Sequence, residues 1–328
     1  MRRREFIGLA TGAVVGWPLK ARAQQARKVP VIGFLTPGFS NATGPGTTIA
    51  GLTDGLRKEG YLDGETIRIE ARFAEGKPES LAGFAEDLVR LKVDVLVTTA
   101  RPSIEAAKAA TRDIPIVALD LESDPVASGY VASLAAPGGN ITGLFLDAPD
   151  LTGKWLQLVR DVVPDARRIA VLWDANTGEY QLRAFFAAAK ATAVDVQVIE
   201  FRNSTAMEPA LTSGLKEQPQ ALIALGSPII NLLTNRIAEI ATTHRTPSVS
   251  LFRSFPDSGG LMSYGPILPV WFQHLGRYVA NILKGAKPAE VPVYRPNDFQ
   301  LILNLKAAMA LGITFSSSLL AQANEVIE

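Results

Sequence analysis

The apolar positions of the chain fall into short continuous runs separated by stretches of helical spacing. Residues 29–36 (VPVIGFLT) form a nearly unbroken apolar run ending at Pro37-Gly38, as expected of a strand buried on both faces that enters a loop. Ile49, Leu52, Leu56 and Tyr61 then recur at roughly helical spacing, and Gly60 and Gly64 stop that helix before a strand at 67–73. The unit repeats. Leu81, Phe84, Ala85, Leu88 and Leu91 line one face of a helix, 93–99 is a third strand, 103–110 a third helix, and Ile114, Ile116 and Val117 open a fourth strand. Asp124-Pro125 reads as a helix N-cap followed by proline at the first helical position, and Pro137-Gly138-Gly139-Asn140 breaks the chain before a strand at 141–146. Residues 114–147 therefore read as a first crossing between two similar lobes.

The alternation then starts afresh. A connecting helix at 151–163 leads to a strand at 168–174 (RIAVLWD), a helix marked by Leu182, Phe185, Phe186 and Ala189, and a strand at 194–201. A helix at 207–215, a strand at 221–225, a helix at 229–241 and a strand at 247–252 follow. Gly259 to Gly265 resembles a second crossing, 270–283 a helix packing back on the first lobe, and proline-rich 288–296 a third crossing. A strand at 299–303 and helices at 307–311 and 319–326 close the chain. This pattern predicts an α/β fold of two Rossmann-like open parallel-sheet lobes joined by a three-crossing hinge. Lobe 1 takes 24–146 and 267–292; lobe 2 takes 147–266 and 293–328.

In such sheets ligands bind beyond the carboxyl ends of the strands. The candidate loops are 36–40, 100–103 and 120–123 in lobe 1, and 174–180, 226–228 and 252–253 in lobe 2. Arg101-Pro102-Ser103 combines a guanidinium, a proline suited to a helix start and a hydroxyl where free backbone N–H groups would face an anion. These loops suggest a small solute with a carboxylate and an apolar or aromatic body. Arg101 and the N–H groups near Ser103 would hold the carboxylate, and Phe39, Tyr180, Phe252 and Tyr264 the body. Thr36, Ser40, Asp120, Asn176 and Ser227 would supply further polar contacts, with Asp120 open to an amino group. The competing arrangement pairs Arg101 with Glu122 or Asp124, away from ligand.

Composition adds the compartment and removes some function classes. The 328 residues, 47% hydrophobic and 20% charged, leave room for two ordinary domains. Arg2, Arg3 and Arg4, the apolar 7–15 and Ala21-Arg22-Ala23 read in order as an export signal, and Arg3-Arg4-Glu5-Phe6-Ile7 fits the twin-arginine pattern. Loss of 1–23 leaves 28 basic and 31 acidic residues, a mildly acidic chain for which nucleic acid is an unsuitable partner. With no cysteine there is neither a disulfide framework nor a lipid-bearing thiol, and no later segment is apolar enough for a span, so a soluble periplasmic protein without a lipid anchor is expected. Catalytic groups are sparse: His244 and His274 both lie in helical contexts, so no enzyme activity is expected. Asp120, Glu122 and Asp124 alternate at a strand end, but capping already accounts for Asp124 and no metal is expected. No glycine-rich phosphate loop follows a strand, so no cofactor is expected either.

The chain resembles the type I solute-binding proteins of ABC importers, in the branch that includes tryptophan- and tyrosine-binding members. The resemblance rests on residues 55–61 (GLRKEGY), 73–76 (FAEG), 93–97 (VDVLV), 106–111 (AAKAAT), 124–129 (DPVASG), 136–143 (APGGNITG), 259–265 and 283–288 (LKGAKP). Most of these are scaffold motifs. The resemblance implies the type I periplasmic binding protein fold, export, and a monomer that hands a small solute to an ABC permease and its ATPase. A sensor subunit that presents its solute to a membrane receptor is the alternative. Where many relatives carry a small or hydroxylated residue before the proline of the third loop this chain has Arg101. Where many have Asn-Pro after the first strand of lobe 2 it has Asp174-Ala175-Asn176, which implies a retuned pocket.

Overall fold

A computed structural model describes residues 29–40 and 47–328. The export signal read at 1–23 lies outside the described residues. The first lobe runs β1 (Val31–Thr36), α1 (Thr48–Lys58), β2 (Arg68–Phe73), α2 (Leu81–Arg90), β3 (Val95–Thr99), α3 (Ala100–Ala110), β4 (Ile116–Asp120) and β5 (Ile141–Phe145). These strands form one parallel sheet in the order β2-β1-β3-β4-β5. β1, β3, β4 and β5 are buried along their whole length, which is why they read as continuous apolar runs rather than as alternation.

The second lobe holds α4 (Ala148–Val162), β6 (Arg168–Asp174), α5 (Tyr180–Ala191), β7 (Asp195–Phe201), α6 (Ser204–Leu215), β8 (Ala221–Ala224), α7 (Pro228–Leu232), α8 (Thr234–Thr243) and β9 (Ser248–Ser250). It continues with α9 (Ser254–Asp257) and β10 (Met262–Pro266). After α10 (Leu268–Leu283) come β11 (Phe299–Asn304), α11 (Leu305–Leu311), α12 (Ser317–Gln322) and β12 (Glu325–Ile327). The sheet order is β12-β11-β10-β9-β8-β6-β7, parallel except where β11 runs antiparallel to β10. The fold is thus α/β with two parallel-dominated sheets, the type I periplasmic binding protein plan.

Several elements depart from the sequence reading. β5 pairs with β4 in the first sheet, so 114–147 is not a crossing; the chain leaves that sheet after Phe145. No helix forms at 125: the Asp124 carboxylate caps Val126 and Ala127 at 2.9 and 2.7 Å, but the turn ends at Gly129, which has φ 66°. The helix read at 229–241 is two, α7 and α8, meeting at Leu233. The last predicted helix stops at Gln322, and residues 325–327 pair with Ile302–Asn304 as an edge strand. Residues 262–266, read as a crossing, are strand β10 of the second sheet.

α10 returns to lobe 1 and lies along α1 at a close crossing. Glycines make the approach possible: a Cβ on Gly51 would sit 2.2 Å from Phe272 Cβ, one on Gly55 2.2 Å from the Gln273 carbonyl, and one on Gly276 2.5 Å from the Leu52 carbonyl. Residues 291–294 then run beside β5, with the Tyr294 N–H on the Gly143 carbonyl at 2.9 Å and the Thr142 hydroxyl on the Val291 carbonyl at 2.7 Å. The chain next crosses to β11. There Arg295 reaches Asp124 at 3.4 Å and pairs with Asp147, which ties the third crossing to the loop after β4 and to the start of α4. Burial raises the Asp147 carboxyl above the ordinary carboxylate range, and Arg295 opposes that shift.

Candidate functional site

In each sheet the strand order reverses once, between β1 and β3 in lobe 1 and between β6 and β8 in lobe 2. Connections leave such a point on opposite faces, which opens a crevice at the carboxyl ends of the strands. Both crevices are bridged by side chains. The buried Thr99 hydroxyl donates to Thr36 Oγ1 at 2.7 Å, and the buried Ser227 hydroxyl donates to Asp174 Oδ2 at 2.7 Å. Ser227 also accepts from the N–H of Ile229 at 3.0 Å and so caps α7.

A cavity of about 710 Å³ lies between the two crevices. Its wall takes Thr36 and Phe39 from the loop after β1, Phe73 from the end of β2, Thr99 and Ala100 after β3, and Leu121 and Glu122 after β4. Lobe 2 contributes Ser227 and Asn231 on one side and Phe252, Arg253 and Asp257 on the other, while Phe272 on α10 closes the back. Five loops that the strand-end rule singles out therefore meet here. A smaller apolar seam, lined by Pro37, Phe39, Pro102, Asn176 and Pro228 among others, continues toward the Asp174 loop.

The predicted site residues divide clearly. Thr36, Phe39, Ser227 and Phe252 line the cavity, and Asn176 lines the seam, where its amide donates to Asp174 Oδ1 at 3.0 Å and to the Arg202 carbonyl at 2.6 Å. Ser40 is exposed, with its N–H on Glu75 Oε1 at 2.9 Å. Ser103 is wholly buried and its hydroxyl turns back onto the carbonyls of Thr99 and Ala100. Arg101 is off the cavity wall: it pairs with neither Glu122 nor Asp124 but sits 3.8 Å from Glu105 on its own helix, against Gly178 of the other lobe. A Cβ on Gly178 would fall 1.9 Å from Arg101 Nη1. Tyr264 stacks on Phe299 with centroids 5.7 Å apart, and Tyr180 turns its hydroxyl to Asp124 at 3.5 Å; neither lines the cavity. Burial, then the nearby Asp124 carboxylate, pushes the Tyr180 hydroxyl up to about 12.

Asp120 is fully buried behind the wall. Its Oδ1 accepts the Glu122 N–H at 2.8 Å, which turns the Glu122 side chain into the cavity lining. Glu122 is 2% exposed; its side chain hydrogen-bonds that of Asp120, and its Oε2 has no donor from any other residue. Burial raises its carboxyl well above the ordinary glutamate range, Asp120 beside it adds to that, and Asp174 across the cleft adds further. Burial also raises Asp174, against the hydrogen bonds from Ser227 and Asn176. Glu122, Thr99, Phe73 and Phe272 line the cavity but were not singled out for it from the sequence. For Glu122 the signal was present, in the alternation of acids after β4.

Ala100 begins α3 with φ 61°, a left-handed backbone that costs a non-glycine residue of order 1 kcal/mol or more and is concentrated at functional sites. The cavity wall passes over it.

The family described as ABC transporter substrate binding protein matches residues 42–327. A tyrosine-binding protein of Clostridioides difficile is 26% identical over 268 residues, 80% of this chain and 75% of that one. Among solved structures, a conserved domain protein from Vibrio cholerae aligns with TM-score 0.84 and 25% identity over 91% of this chain and all of that one. A Streptococcus domain in complex with L-Trp aligns with TM-score 0.83 at 25% identity, covering 91% of this chain and 99% of its own. A ligand-free, open substrate-binding protein from Clostridium difficile, with the same identity and coverage, aligns at only 0.65.

Proposed function

The chain belongs to the ABC transporter substrate-binding protein family, and we propose that it captures an aromatic amino acid or a related aromatic carboxylic acid in the cleft between its lobes. In this reading it is an exported, periplasmic, monomeric protein that performs no chemistry and delivers its solute to a membrane permease and ATPase. The observation that carries the ligand class is the cavity itself. Its volume of about 710 Å³ falls within the range of small-molecule sites, and Phe39, Phe73, Phe252 and Phe272 wall it around a few placed polar groups. The tyrosine-binding relative and the L-Trp complex support the same class. Hydroxyls of Thr36 and Thr99 and the start of α3 are the polar features suited to the carboxylate, and Arg101 serves as a contact between lobes.

The lobes close over the solute by bending at the three crossings, a motion consistent with better alignment to the L-Trp complex than to the open, ligand-free protein. Calorimetry with L-tryptophan, L-tyrosine and L-phenylalanine, paired with small-angle scattering, tests the reading. Saturable binding and a smaller radius of gyration with ligand are expected. Absence of binding by any aromatic amino acid or aromatic acid overturns it.

A further inference from the structure

The corner of the cavity formed by the loop after β4 is acidic, buried and short of hydrogen-bond donors. Glu122 lines the cavity with 2% of its surface exposed and Asp120 behind it is 0% exposed; the two side chains hydrogen-bond one another, and Glu122 Oε2 and Asp120 Oδ2 have no donor from any other residue. Buried acids in folded proteins are nearly always paired with donors or with a cation, so two adjoining buried carboxyls that have only each other, at a ligand cavity, mark a place for a positively charged donor. Among the described residues neither acid has an ion pair of the kind that Asp124 and Asp147 make with Arg295. The basic residue on the cavity wall, Arg253, is held by both oxygens of Glu325 and lies 3.4 Å from Asp257. A metal ion does not fit: hard cations take six or more oxygens, and no group of three or more acidic or imidazole side chains placed to hold one occurs among the described residues.

We propose that Glu122, positioned by Asp120, is the subsite for a ligand ammonium group, so that the solute class is amino acids rather than simple carboxylic acids. This rests on the aromatic-solute reading above and narrows it. A primary ammonium carries three donors and a positive charge, which suits two adjoining acids that lack a cation. A carboxylate or a neutral ring placed at that corner would face Glu122, Asp120 and, from the other lobe, Asp174. Asp120 acts as a positioning residue: its Oδ1 on the Glu122 N–H at 2.8 Å fixes the turn that aims Glu122 inward. Facing groups that set the charge of this corner are Asp120 from β4, Asp174 from the end of β6, and the Arg253 and Asp257 pair of the opposite wall.

The test compares three ligands with one ring: L-tryptophan, indole-3-propionate, which lacks the ammonium, and tryptamine, which lacks the carboxylate. The corresponding series built on tyrosine is run alongside. Calorimetry on the full mature protein should give at least tenfold weaker binding for the propionate than for the parent amino acid in the series that binds. Glu122→Gln should then abolish that preference, by weakening the amino acid tenfold or more while changing the propionate less than twofold. The comparison on the unmutated protein stands even if the variant folds poorly. Equal affinity for the amino acid and its propionate, or an unchanged preference in a folded Glu122→Gln protein, overturns the ammonium subsite while leaving the aromatic-solute reading intact. Failure of all the ligands in both series to bind overturns both.

Discussion

Replacing Gly55 by alanine tests how tightly the returning helix is held on lobe 1. In an exposed helix the change would be favourable, since alanine exceeds glycine in helix propensity by about 1 kcal/mol. At Gly55 the new methyl lies 2.2 Å from the Gln273 carbonyl oxygen and 2.9 Å from its carbon. A normal carbon–oxygen contact is about 1 Å longer, and the obstacle is backbone, so α1 and α10 must move apart rather than one rotamer give way. Overpacking of this kind costs about 1–3 kcal/mol, and a contact with backbone belongs in the upper part of that range. Subtracting the propensity gain leaves a net loss of about 1–2 kcal/mol. Gly83→Ala in α2 is the control, because nothing lies within 4 Å of its added methyl, and it should gain about 0.5–1 kcal/mol. Urea denaturation followed by far-ultraviolet circular dichroism and by tryptophan fluorescence reads both. Trp271 is buried on α10 itself and reports the disputed crossing. With a slope of about 2 kcal/mol per molar urea, the two variants should differ in midpoint by roughly 1 M. A Gly55→Ala midpoint at or above that of Gly83→Ala would refute the crossing as described.

Two further outcomes follow from the site. The folded-state pKa of Glu122 is raised, so its contribution to stability is fully present below the ordinary glutamate value of 4.5 and is lost as the pH rises through the raised value. Ligand-free Glu122→Gln should therefore match the parent near about pH 4 and melt at a higher temperature near about pH 8, whereas parallel curves across that range contradict the burial argument. Arg101→Ala, which removes an interlobe contact at Gly178 rather than a ligand contact, should weaken L-tryptophan and tryptamine by the same factor and by less than tenfold. A loss confined to ligands that carry a carboxylate would return Arg101 to the binding site.

Most of the architecture is legible in the sequence because strands buried on both faces leave unbroken apolar runs. Residues 168–174 mark β6 without ambiguity. The misread segments are those where one residue decides between similar patterns. Asp124-Pro125 has the chemistry of a helix start, and only the left-handed Gly129 reduces it to a turn. Val326 follows Leu319 and Ala323 at a spacing that suits a helix, and only the exposed edge of β11 makes residues 325–327 a strand. For the site, the rule that ligands sit beyond strand ends finds the loops, since it depends on strand order alone. It does not say which way a side chain turns within a loop. The left-handed Ala100 rotates the start of α3 so that Ala100 lies on the cavity and Arg101 does not, and the hydrogen bond from the Glu122 N–H to Asp120 brings Glu122 inward while Asp120 stays behind. Neither dihedral can be read from residue identity.

The route of the chain through its two lobes has a consequence for the newly made protein. The lobe 1 sheet is complete at Phe145, yet Phe34, Val97, Val117 and Leu119 on its inner face share an apolar cluster with Trp271, Phe272, Leu275 and Val279 of α10. At about 5–20 residues per second a ribosome takes roughly 6 to 25 s to travel from one to the other. Lobe 2 is unfinished for longer, because β11 and β12 extend its sheet from the last thirty or so residues. During synthesis neither half can bury both its faces alone, so the nascent chain presents sticky surface until nearly its end. Chaperone capture should fall on long nascent chains rather than on short ones, and truncations that stop before α10 should be recovered as aggregates instead of as a small folded domain.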